Sequence, residues 1–262
     1  MFNPYIRRKR SGVPVLSRNE IDVIGEGLIR DFNPLALITP QEIDIDLFVQ
    51  DYLGMQQDFQ YLSHCGVYLG MTVFNDTDKL PVYNPHTNAA EYISEKAYTV
   101  IIDNSLLSTN QEHRYRFTMG HEAGHGFLHN EYFSYDPNQL TLFGINDGAF
   151  DVSMIQCRVD AVKLCSSKRS WSDMDWMEWQ ANAISSAILM PKSMVIKAVE
   201  EVIEKKRNND LLPYAKIFKV SSLFNVSFEA AEYRLKELKL FEHNYKINKA
   251  IMDFYPMFEF EN

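Results

Sequence analysis

Cysteine is scarce in this sequence: Cys65, Cys157 and Cys165 are the only three in 262 residues. An odd, sparse set argues against a disulfide framework and points to reduced thiols, the state kept in a cytosol. No stretch approaches the roughly 18 uninterrupted apolar residues of a membrane span. The early basic run RRKR (7–10) leads into SGVPVLSRNE rather than an apolar segment, so no signal peptide is expected and the chain reads as cytoplasmic. Positive charge is also short, with 26 Lys and Arg against 35 Asp and Glu and a net charge of −9. A dedicated nucleic-acid binder needs a basic face to displace counterions, so this balance weighs against nucleic acid as the main partner. Internal repeats and low-complexity tracts are missing too.

What is present suits a globular chain with a sizeable core: 46% hydrophobic and 13% aromatic residues over 262 positions. Ser17-x-x-Glu20 forms a capping box before IDVIGEGLI, and Thr39-Pro40-Gln41-Glu42 predicts a second helix running to Leu53 and stopping at Gly54. Three β-like runs follow, GVYLGMTVF (66–74), PVY (81–83) and AYTVIID (97–103), with NPHTN as a turn. Helices are expected over 113–129, 174–190 and 192–206, and a pair about a tight turn over 212–240. The stretch 131–172, with Pro137, Gly144 and Gly148, reads as an insertion of little regular structure. The implied organisation is a main domain over 1–206, a helix-turn-helix-like segment over 207–245 and an aromatic tail over 246–262.

Three of the seven histidines fall within RFTMGHEAGHGFLH (116–129), two of them as His121-Glu122-x-x-His125. Residues i and i+4 of a helix share a face, with Cβ atoms ~5–6 Å apart. Two imidazoles so placed can reach one zinc ion at the usual distance of about 2.0–2.1 Å. Glu122 is rotated about 100° from His121, where it can face a water on the metal and take its proton. Gly120 and Gly124 cost helix stability, about 1 kcal/mol each against Ala, which small residues needed for close approach would explain. Phe117, Phe127 and Leu128 can anchor the helix in a core. A third protein ligand is required. His129 lies about 12 Å along the axis from His121 and cannot close the same shell, so it reads as structural or as a support to the ligands. Glu178, in WMEWQANAISSAILMP (176–191), is the better candidate: Ala181, Asn182 and Ser185 at i+3, i+4 and i+7 make a small-residue stripe that lets this helix approach the first. Asn182 can accept a hydrogen bond from the far nitrogen of a ligating histidine.

RFTMGHEAGHGFLH together with EWQANAISSAILMP resembles the ImmA/IrrE family of zinc metallopeptidases. The resemblance extends to ITPQEIDIDLFVQDYLGM, AYTVIIDNSLL and LFNVSFEAAEYRLKELKL, and so covers most of 39–240. It implies an α+β, zincin-like domain with a small twisted sheet and an HExxH helix, followed by a small helical segment. It implies Zn2+ held by His121, His125 and Glu178, with Glu122 as general base. The implied substrate is a helix-turn-helix repressor-type protein, often encoded beside the peptidase on a mobile genetic element. Gln180 departs from the family pattern, where a second acidic residue is common, and Ile184–Ser185 replaces the usual Phe-Ala. Cys157 and Cys165 lie in the long connection and read as thiols. AYTVIID is expected to offer a sheet edge to an extended peptide. Two other classes compete: a DNA-binding regulator using 218–241, with Ser227 as N-cap, and a zinc-dependent binding or toxin-like module without proteolysis. Mixed charge on the second helix, Glu229, Glu232 and Glu237 against Arg234, Lys236 and Lys239, argues against the former.

Overall fold

The computed structural model describes residues 1–133, 154–158, 171–205 and 211–241. Expectations about Cys165, the tail over 246–262 and most of the 131–172 connection fall outside these residues. The described chain forms two compact units. One is built from Asn3–Ile21 and Ile45–Ser185, the other from Met1–Phe2, Asp22–Asp44 and the described residues from Ser186 onward. Helices and small sheets together make the chain α+β. No described helix is long and apolar enough to cross a membrane.

The first unit carries the sheet. Its strands are β1 (Gln56–Gln60), β2 (Tyr68–Val73), β3 (Thr77–Asn84), β4 (Ala89–Glu95), β5 (Thr99–Asp103) and β6 (Met154–Arg158). Four of them form a sheet in the order β1-β5-β2-β6, while β3 and β4 pair as a separate antiparallel hairpin. β5 therefore does not offer an edge, contrary to expectation: it pairs in parallel with β1 and antiparallel with β2. Its five residues are all buried, the mark of a strand covered on both faces rather than of an exposed rim. β6 also corrects the reading of 131–172, since a strand inside that connection extends the sheet beyond β2. The period of two sorts β2. Met71 and Val73 join Leu62, Leu80, Val82 and Ile101 in one apolar cluster, while Gly70 and Thr72 face the opposite way.

Helix α1 (Arg18–Phe32) opens with the expected capping box. The Ser17 N–H donates to Glu20 Oε2 at 2.7 Å and the Glu20 N–H to Ser17 Oγ at 3.3 Å. The second box fails. Residues 40–44 are not helical, and α2 (Ile45–Leu47) begins five residues late, passing into a π-helical turn, Phe48–Tyr52. Ile43 and Ile45 are both buried with exposed Asp44 between them, a spacing of two that an extended chain satisfies and a helix does not. α3 (Glu112–Phe133) and α4 (Asp173–Leu189) are the long helices of the unit, α3 lying across β2 and β5.

The second unit is helical, with α5 (Lys192–Lys205), α6 (Leu212–Phe224) and α7 (Phe228–Glu237). Asn225 takes a left-handed conformation at φ 50° to end α6, and Ser227 caps α7 by accepting from the Ala230 N–H. Arg234 is fully buried. Its Nε and Nη2 donate to the Met190 carbonyl at 3.1 and 3.0 Å, and Nη1 lies 2.8 Å from Asp22 Oδ1. Removing one partner strands a charge in the interior. Asp22→Ala is expected to lower the unfolding free energy by about 3–5 kcal/mol, while the double variant with Arg234→Met recovers much of that loss. Urea unfolding of the three proteins checks this; equal stability of Asp22→Ala and wild type would contradict it.

Candidate metal centre

α3 is buried without a break from Thr118 to Gly126, polar residues included, so it is a core helix that carries its chemistry inside. Leu128 is buried and Phe117 and Phe127 are half-buried. The two glycines answer to α4. A Cβ on Gly120 would stand 2.6 Å from Ser185 Oγ, and one on Gly124 would stand 2.5 Å from Ile184 Cγ2 and 3.4 Å from Ala181 Cα. Gly120 and Gly124 thus let the two helices close on each other, and Ala181 and Ser185 are the matching small residues. Ser185 adds a hydrogen bond to the Phe117 carbonyl at 3.0 Å.

This approach brings His121, His125 and Glu178 together, with one ligating atom from each lying within 4.8 Å of the others. His121 Nε2 and His125 Nε2 are 3.1 Å apart. Glu178 Oε2 lies 3.4 Å from His121 Nε2, and its Oε1 lies 3.4 Å from His125 Nε2. Donors around a tetrahedral zinc at about 2.0–2.1 Å stand about 3.4 Å from one another, so the three are spaced as a single ion requires. Burial lowers the His125 pKa against the opposing pull of Glu178, which favours neutral imidazole, the form that ligates metal. Burial pushes the Glu178 carboxyl up, but the two imidazoles facing its oxygens outweigh this and hold it well below the usual carboxylate range. Asn182 Oδ1 lies 3.0 Å from His121 Nδ1, on the far side of the ring from Glu178. His129 stays out of the donor set, as its distance along the helix requires. Its Nδ1 lies 2.9 Å from His125 Nδ1 and its Nε2 lies 3.0 Å from Gln180 Oε1.

Glu122 is completely buried beside this cluster. Burial pushes its carboxyl up to about 7, against the lowering effects of His121 and of the Thr72 hydroxyl. Thr72 Oγ1 lies 2.6 Å from Glu122 Oε2, and Glu122 Oε1 has no hydrogen-bond partner among the described residues. A buried carboxylate oxygen without a donor is costly unless something outside the protein chain completes it. Thr72 and Gly70 were not foreseen from the sequence. Their relevance rests on the register that lays β2 over α3, and a non-local pairing leaves no local signal. Gln180 carried a faint one, as the departure from an acidic residue.

Two core helices thus converge two imidazoles and a carboxylate that could hold a metal ion, with a second carboxylate alongside. Residues 159–236 match the family model described as Peptidase_M78, the IrrE N-terminal-like domain. The match supports membership of the ImmA/IrrE family, a family of metal-dependent peptidases. The matched stretch includes Glu178 and Asn182 and begins after the two histidines of α3. No curated protein matches the chain.

Gly70 tests how tightly Glu122 is held. A Cβ there would meet Glu122 Oε1 at 2.6 Å and Thr118 Cγ2 at 2.8 Å. Gly70→Ala is expected to cost about 1–3 kcal/mol by overpacking and to leave zinc affinity within a few-fold, because no donor atom is touched. Urea unfolding and a zinc titration read the two effects; wild-type stability would show that the contact is slack.

Proposed function

We infer that the chain is a zinc-dependent endopeptidase of zincin-like build, in which His121, His125 and Glu178 hold the metal and Glu122 is the general base. The observation that carries this reading is the convergence of the three donors beside a buried carboxylate whose Oε1 has no partner among the described residues. Zinc bound there would polarise the scissile carbonyl and bring the pKa of its water down to about 7. Glu122 takes the proton of the attacking water on Oε1 and delivers it to the leaving amine. A carboxyl pushed up to about 7 suits both halves of that exchange near neutral pH. Thr72 holds Oε2, so Oε1 is the oxygen left to work. Asn182 fixes the ring of His121 by accepting from its Nδ1–H.

An extended peptide pairs best with an unpaired strand. In the four-stranded sheet the strands with an open edge among the described residues are β6 and β1, the two ends of its order. β6 runs beside β2, the strand that carries Thr72, so a peptide added there lies nearer the site. The substrate class we favour is a helix-turn-helix repressor-type protein met in the cytoplasm, a reading that rests on the family resemblance. A DNA-binding role for α6 and α7 has less support. Arg234 is spent in the interior, Lys216 is buried with its Nζ donating to the Leu240 carbonyl, and Lys236 pairs with Glu232.

Glu122→Gln keeps the side-chain size and all three donors. It is expected to bind about one zinc per chain like wild type and to lose cleavage of a helix-turn-helix repressor-type substrate by about 10²–10⁴-fold. Mass spectrometry of the digested repressor and zinc analysis of the purified proteins check both halves. Equal cleavage by the two proteins would remove Glu122 from the chemistry.

A further inference from the structure

The metal ligand His125 is held by a chain of hydrogen bonds that ends far away in sequence, at the Pro14 carbonyl. Gln180 Nε2 donates to Pro14 O at 2.8 Å. Gln180 Oε1 faces His129 Nε2 at 3.0 Å, and His129 Nδ1 faces His125 Nδ1 at 2.9 Å. Pro14, Gln180, His125 and His129 are all buried, so no solvent competes for these groups.

The chain has a direction, because its far end can only accept. A backbone carbonyl has no hydrogen to give, so Gln180 must turn its NH2 toward Pro14 and its oxygen toward His129. That oxygen is also only an acceptor, so His129 carries its hydrogen on Nε2. The Nδ1 of a neutral His129 is then bare. One hydrogen fits in the 2.9 Å contact between the two Nδ1 atoms, and it must come from His125. His125 is thereby left with hydrogen on Nδ1 and a lone pair on Nε2, the atom 3.1 Å from His121 Nε2 and 3.4 Å from Glu178 Oε1.

We propose that Pro14, Gln180 and His129 are positioning residues of the metal centre, a relay that sets the tautomer of His125 so that its Nε2 lone pair meets the ion. The relay rests on the reading of His125 as a metal ligand and is independent of whether the chain cuts a protein.

The RRKR run acquires a purpose here. Residues 7–15 fold back on themselves, with Arg8 and Pro14 bridged and the Val15 N–H donating to the Arg7 carbonyl at 2.7 Å. Arg8 Nη1 donates to the Leu128 carbonyl of α3 at 2.8 Å, and its Nε lies 2.6 Å from Glu131 Oε2. Lys9 Nζ lies 2.7 Å from Asp173 Oδ1 at the start of α4 and over the ring of Trp176 at 5.8 Å. The loop is tied to both helices that supply ligands, which fixes where its Pro14 carbonyl points.

Two measurements test the relay. Long-range 1H–15N correlation spectra of the metal-free, full-length protein report histidine tautomers directly. The relay requires hydrogen on Nδ1 of His125 and on Nε2 of His129; a His125 that carries its hydrogen on Nε2 would overturn it, and wild type alone suffices. The second compares zinc dissociation constants of Gln180→Met and Gln180→Glu. Met removes the acceptor and is expected to weaken zinc binding by about 10–100-fold. Glu still presents an oxygen to His129 and, in its protonated form, a hydrogen to the Pro14 carbonyl, and is expected to stay within a few-fold of wild type. If Gln180 only filled space, the order would reverse, since Met fits an interior that Glu does not. Met equal to wild type, or Glu weaker than Met, would overturn the proposal. Neither outcome bears on whether the protein is a peptidase.

Discussion

The close approach of α3 and α4 is the constraint on which the site depends. A methyl group added at Gly120 or Gly124 would run into Ser185 or Ile184 well inside van der Waals contact. A side chain at either position would require Ser185 or Ile184 to shift, loosening the packing that holds Glu178 against the histidine pair. The glycines cost helix propensity, and that cost is offset by bringing a donor from one helix to two donors on the other. A carboxylate oxygen 3.4 Å from each imidazole is a matter of tenths of an ångström, which only a packed interface can hold.

The second constraint is the burial of so many polar groups around that contact. Thr72, Thr118, His121, Glu122, His125, His129, Gln180 and Ser185 are all buried in one region of the first unit. Such a layer is stable only when its members satisfy one another. Most of this one does: Thr72 serves Glu122, Asn182 serves His121, and Gln180 serves His129. Glu122 Oε1 and Glu178 Oε2 are buried without a hydrogen bond among the described residues. A cation held by His121, His125 and Glu178 would complete the layer.

Local sequence signals recovered the helices of the site and the capping box of α1, because ligand spacing, small-residue stripes and Ser17-x-x-Glu20 act within a few residues. They failed where distant partners decide. β1 reads QQDFQ, with no apolar alternation, and exists because it pairs in parallel with β5. The cap signal at Thr39 was overruled by the burial of Ile43 and Ile45 on an extended chain. AYTVIID was recognisable as a strand, but its place inside the sheet depends on which strands flank it. His129 could be excluded as a ligand by distance alone. Its tie to Gln180, and through it to Pro14, needed the packing of three separate segments.

The most direct test of the metal centre is zinc-edge X-ray absorption on the loaded, full-length protein. The account predicts a first shell of nitrogen and oxygen at about 2.0–2.1 Å, with the outer-shell scattering of two imidazole rings and no sulfur. Glu178→Gln should change that shell while leaving two imidazoles. A shell containing sulfur at about 2.3 Å would mean that cysteines hold the ion and would contradict the assignment of His121, His125 and Glu178.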